Sequence, residues 1–191
     1  MSAPWVDALE AGAPDVVAAW RGIDLGDVAS VRREVAHRSG EGTAAGLATQ
    51  LSTLAEALTA MPLALPGAAL RAPGGEADWN VAQCIGHDCE SRVGLCLAAS
   101  LAAVGRWPPD APTVVQGIPG APDVDRETLL RKIAQSQRIV ERAARTVAGR
   151  ELEPCPLDHP QLGRLRCGEW LLFAGVHDLM HLEQLHALVD A

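Results

Sequence analysis

The chain has no tyrosine, one phenylalanine (Phe173) and one lysine (Lys132) in 191 residues, and is rich in alanine and arginine. That bias looks like the composition of a GC-rich bacterial genome, an association and not a physical argument. No stretch approaches the roughly 18 consecutive apolar residues of a membrane span. The opening Met1-Ser-Ala-Pro-Trp-Val-Asp-Ala-Leu-Glu10 lacks the basic and apolar regions of a secretory signal. No Cys-x-x-Cys pair occurs among Cys84, Cys89, Cys96, Cys155 and Cys167, which excludes zinc-ribbon and thioredoxin-type readings. The expected location is therefore cytoplasmic, with the cysteines as reduced, mostly buried thiols. Basic excess is missing too. A formal charge of −8 and a pI near 5.2 argue against nucleic acid as a partner.

What is present suits a globular domain: 48% hydrophobic residues and mean hydropathy of +0.08. At this length one core is the economical expectation. Helical spacing recurs along the chain, with no alternating strand pattern of useful length and no internal repeat. A first helix is expected over about Asp15 to His37, interrupted near Gly22–Gly26, with a loop at Arg38–Gly42. Leu47, Leu51, Leu54 and Leu58 mark a helix from Thr43 to about Met61, and Pro62, Pro66, Pro73, Gly74 and Gly75 break the chain after it.

The next helix announces its own start. Asn80 can cap it, and Gln83 can reach back to complete a capping box. It should run from about Val81 to Val104, ahead of a long Pro- and Gly-rich connection over 107–124 that is either functional or wraps a face of the bundle. A further helix is expected from Asp125 to about Ala148, with Leu129, Ile133, Val140 and Val147 facing the core. The last spans Gly168 to Val189. The fold class is all-α: four helices around one core over 41–191, with residues 1–40 as a helical N-terminal extension.

Three histidines carry the chemistry. His177 and His181 stand at i, i+4, which stacks both imidazoles on one helix face. His87 lies about two turns into another helix, and the pair lies two to three turns into theirs. If both helices start at the same end of the bundle, the three rings meet at one level. Three neutral imidazoles can hold a divalent metal and leave positions open, as a catalytic site requires. An isolated His-x-x-x-His pair is common by chance. Its place in an apolar helix is what counts, because unpaired imidazoles are costly to bury there. Gln184 shares the face of the pair and can orient a ligand from behind. Glu90, at i+3 from His87, can act as an acid or base beside the metal.

Other polar groups read as structure. Arg131, Arg138, Arg142 and Arg145 form a stripe that suits a solvated face better than an anion site, and Arg164 and Arg166 are no stronger. Cys84, one turn before His87, fits core packing better than metal ligation. His159 suits a turn, since a fourth histidine ligand would close the site. His186 falls off the face of the pair, and His37 lies in the extension.

Two stretches resemble the DinB/YfiT-like metalloenzyme superfamily. One is Asp78-Trp-Asn-Val-Ala-Gln-Cys-Ile-Gly-His87-Asp-Cys-Glu90; the other runs from His159-Pro-Gln-Leu-Gly163 through Glu169-Trp-Leu to His177-Asp-Leu-Met-His181-Leu-Glu-Gln184. The likeness covers roughly residues 43–191 and leaves 1–40 outside. It implies a four-helix bundle with His87, His177 and His181 as ligands to Zn²⁺, or to Ni²⁺ or Fe²⁺. It also implies an enzyme that uses a low-molecular-weight thiol, mycothiol or bacillithiol, on a small electrophilic substrate. The composition points to mycothiol. Two alternatives stand beside that one: a metal-dependent hydrolase or lyase with Glu90 as base, and a non-catalytic metal-binding module. An accessible pocket lined by the 105–124 connection would favour catalysis, and a blocked metal would favour the module. A homodimer is compatible with the sequence, but no exposed apolar stripe argues for one.

Overall fold

The computed structural model describes residues 4–24, 26–39, 43–72 and 78–189. Three helices lead the chain: α1 (Pro4–Leu9), α2 (Pro14–Gly22) and α3 (Val28–Ser39). The bundle follows with α4 (Ala44–Ala64), α5 (Val81–Ala103), α6 (Arg126–Val147) and α7 (Cys167–Val189), and a hairpin of β1 (Pro154–His159) and β2 (Gly163–Arg166) precedes α7. Helices α4 and α5 each pack against both α6 and α7, so the four close a ring around one core. The α5–α7 contact joins the two helices that carry His87, His177 and His181.

The expected caps form. Asn80 accepts a hydrogen bond from Gln83 N at 2.8 Å, and Gln83 Oε1 accepts from Asn80 N at 3.1 Å. Asp125 accepts from Thr128 N at 2.7 Å and starts α6. On α6, Leu129, Ile133, Val140 and Val147 are buried while Arg131, Arg138, Arg142 and Arg145 are exposed, so the arginine stripe is a solvated face. Helix α7 is buried around most of its circumference, with α2, α3, α4 and α5 all packed on it.

The leading helices join this core. Val16, Val17 and Ala19 of α2 are fully buried. Ala13, the residue at the cap of α2, has no polar side chain. Gln50 of α4 takes over, its Oε1 accepting from Asp15 N at 2.9 Å and Val16 N at 3.2 Å. The helix expected over Asp15–His37 is split into α2 and α3 where the glycines were expected to interrupt it, and α1 comes in addition. Of the expected loop at Arg38–Gly42, residues 40–42 lie outside the described residues, as do Pro73, Gly74 and Gly75.

Two local expectations are corrected. Pro62 does not end its helix: α4 continues to Ala64, with Met61 and Pro62 both buried. The core contacts of that turn offset the hydrogen bond that proline removes. A strand pair is also present. Cys155 and Leu157 point inward from β1, and the pattern was masked by Pro154 and Pro156, which ordinarily argue against a strand. The pair is short and at an edge, where proline is tolerated. The chain at 113–115 adds to it, with Asp158 N donating to Thr113 O at 2.7 Å and Val115 N donating to Asp158 O at 2.9 Å.

Candidate metal centre

Helix α5 brings His87, and α7 brings His177 and His181, to one point in the core. One ring nitrogen from each lies within 4.8 Å of the other two. The Nε2 atoms of His177 and His181 are 3.2 Å apart. Two nitrogens on a tetrahedral zinc at ordinary bond lengths stand about 3.3 Å apart. The spacing of the pair thus fits a shared ion.

Each ring is oriented from behind by an oxygen at Nδ1. His87 Nδ1 lies 2.7 Å from the carbonyl of Ile118, which can only accept, so the proton sits on Nδ1 and Nε2 keeps its lone pair. His181 Nδ1 lies 2.9 Å from Gln184 Oε1, where the sequence placed that glutamine. His177 Nδ1 lies 3.5 Å from Asp88 Oδ1, long for a hydrogen bond, and among the described residues neither atom makes one elsewhere. Oxygen acceptors behind His87 and His181 favour the tautomer that a metal ligand needs, and the Asp88 carboxylate faces Nδ1 of His177. Burial lowers the pKa of His87, partly opposed by its bond to Ile118, and so favours the neutral form.

Asp88 was missed by sequence reasoning, which chose Glu90 as the nearby carboxylate. Asp88 is fully buried. Burial alone would raise its pKa, but the His177 contact and the charges of His181, His177 and Arg92 outweigh that and lower it. Next to it stands a second fully buried carboxylate, Asp178, bonded to Nη1 of Arg92. Asp178 is raised well above the carboxylate range, first by burial and then, against the pull of Arg92, by the charge of Asp88. Arg92 also donates Nη2 to Leu51 O at 3.1 Å and to Gln137 Oε1 at 2.6 Å. This polar core ties α4, α5, α6 and α7 together directly behind His177. The available signal was Asp88 and Arg92 at i, i+4, which puts two opposite charges on one face of α5.

Glu90 lies elsewhere, exposed and paired to Lys132 Nζ at 2.9 Å. It lines a cavity of about 710 Å³ that His87 and His177 also line. The connection after α5 forms much of the opposite wall, from Trp107 to Ile118, so the open-pocket alternative is the one found. Gly120 holds that wall close: its N donates to Gln83 O at 3.2 Å. A Cβ there would come within 2.5 Å of that oxygen and 2.9 Å of Gly86 Cα.

His159 shapes the β1–β2 turn, its Nδ1 accepting from Gln161 N and Leu162 N at 3.2 Å each, and its ring packs edge-on to Phe173. It lines the cavity but is not among the three clustered histidines. Cys84 is buried with Sγ 3.5 Å from His181 Nδ1. His186 stacks on Trp5, and Arg164 pairs with Asp158 at the hairpin. Trp79, which leads into α5, packs against the His87 ring at 4.9 Å between centroids.

No helix among the described residues is long and apolar enough to cross a membrane. No curated protein and no solved structure matches the chain. The DinB superfamily model, however, matches residues 47–185, a span that holds all four bundle helices but for a few terminal residues, all three clustered histidines and Gln184. With that match over most of its length, the chain belongs to the DinB superfamily.

Proposed function

We propose that this protein is a metal-dependent enzyme that activates a low-molecular-weight thiol of the mycothiol type for transfer to a small electrophilic substrate. The observation that carries the reading is the position of His87 and His177: both belong to the three-histidine cluster and both line the open cavity. The donor set suits Zn²⁺ best, being three neutral imidazoles with the spacing described above. When bound, a divalent ion at these nitrogens lowers the pKa of a thiol and holds it as thiolate near neutral pH.

The protein's own residues do the rest in this reading. Ile118 and Gln184 hold His87 and His181 in the tautomer that presents Nε2, and Asp88 backs His177. Glu90, on the cavity wall one turn from His87, takes the S–H proton when the thiol enters as a thiolate, and returns it to the electrophile after the sulfur has added, so that a neutral thioether adduct leaves. The cavity wall places the electrophile against the thiol and keeps water out of the approach.

The test is adduct formation between a thiol and a model electrophile, followed by mass spectrometry. Zinc-loaded protein should accelerate it at least a hundredfold over chelator-treated protein. Glu90→Gln should lose about 10²-fold or more in rate with unchanged metal content. Equal rates with and without metal would contradict the reading.

A further inference from the structure

We infer that the cavity beside the three histidines selects an uncharged, predominantly apolar small molecule. This names the class of electrophile for the thiol-transfer reading above, and rests on it. The wall is built from Leu97, Leu101, Trp107, Val114, Ile118 and Phe173, among others. Among the described residues no lysine or arginine lines it, and apart from the histidines Glu90 is the only charged lining residue. Lys132, the nearby cation, is already paired to Glu90.

Charge decides the class. An anion entering this cavity sheds its hydration, meets no lysine or arginine, and faces Glu90 on a chain of net charge −8. A thiolate on an ion at the histidines cancels half of its positive charge in this reading, which weakens its pull on an anion. A neutral apolar molecule bears none of these costs and removes the wall's apolar surface from water. Leu97, Val114 and Ile118 are 47%, 48% and 56% exposed, so the apolar surface continues out to the mouth. About 710 Å³ is ample room for a molecule of two to three rings.

The wall is fixed rather than loose. Thr113 and Val115 are bonded to Asp158, Ile118 to His87, and Gly120 to Gln83. The shape that selects the ligand is therefore set by the fold before binding.

The test compares N-phenyl-1-naphthylamine, which is neutral, with 8-anilino-1-naphthalenesulfonate, its anionic counterpart of similar size. Both are titrated by fluorescence into zinc-loaded and zinc-free full-length protein. The neutral probe should bind one to one and at least tenfold tighter than the sulfonate. Gly94 lines the cavity, and a Cβ there meets nothing within 4 Å, so Gly94→Phe should fill the space and weaken the neutral probe at least tenfold. Leu97→Gln, at a position that is 47% exposed, should weaken it severalfold.

Equal or tighter binding of the sulfonate overturns the inference, as does probe binding that neither variant changes. If that happens while the three histidines still load one zinc, the metal reading stands and the ligand class falls. If the neutral probe behaves as expected while no zinc loads, the ligand class of the cavity stands and the thiol mechanism falls.

Discussion

Asp88 Oδ1 lies 3.5 Å from Nδ1 of His177, across the α5–α7 interface, although Asp88 directly follows His87 in the chain. One turn of α5 thus serves two of the three histidines, one as a residue of the cluster and one from behind. Removing the carboxylate should loosen His177 without unfolding the bundle, because Arg92 keeps Asp178. Asp88→Asn is expected to weaken zinc binding about 10- to 100-fold, read by competition with a chelator, with the urea midpoint little changed. Unchanged zinc affinity would remove Asp88 from the site.

Arg92 is the central cation of the polar core. Arg92→Met leaves Asp178 buried without its charged partner and strips Gln137 and the Leu51 carbonyl of a donor. Loss of one partner of a buried pair costs about 3–5 kcal/mol. Urea unfolding of the metal-free protein measures it, and a loss below about 1 kcal/mol would mean that the network contributes little.

Gly120 sets the approach of the cavity wall to α5. Gly120→Ala must displace the backbone at 2.5–2.9 Å, which moves Ile118 O away from His87. The expected result is a zinc affinity lowered by about tenfold or more, with far-UV circular dichroism unchanged. Gly94→Ala is the control: nothing crowds its Cβ, and it should gain about 0.5–1 kcal/mol of stability from helix propensity.

The buried thiols give a pH dependence of known sign. Burial pushes Cys96 and Cys167 from an ordinary value of 9.0 up to about 12. The folded state holds these protons more tightly than the unfolded one. Their contribution to stability is therefore complete below about pH 9 and is lost as pH rises from 9 toward 12. The denaturation midpoint should fall over pH 9–10.5. At pH 8 the native thiolate fraction is about a thousandfold below that of an ordinary thiol, so iodoacetamide should label both sites only after denaturation. Rapid labelling of either site in the native protein would contradict their burial.

The parts that were legible in the sequence rest on local rules. The Asn80–Gln83 box, the Asp125 cap and the leucine spacing of α4 fix where helices start and which face they bury, because each acts within a few residues. The His177/His181 pair and Gln184 were readable for the same reason, lying on one helix face. Joining His87 to them needed a further assumption about helix order, which the α5–α7 packing satisfies. Asp88 escaped because no spacing rule within α5 aims a side chain at a histidine 89 positions away. The hairpin escaped because Pro154 and Pro156 carry the opposite local signal. The cavity wall depends on where a Pro-rich connection lands, and that is set by Gly86, Gly120 and the bond to Ile118 rather than by its own pattern.

The central claim is that His87, His177 and His181 hold one divalent ion. Metal content of untagged protein, purified without chelators and then offered zinc, tests it most directly beside His177→Ala. The account predicts close to one zinc per chain in the wild type, and loss of most of it in a variant whose helical circular dichroism is intact. Wild-type protein that takes up no zinc, nickel or iron, or a variant that keeps its full complement, would contradict it.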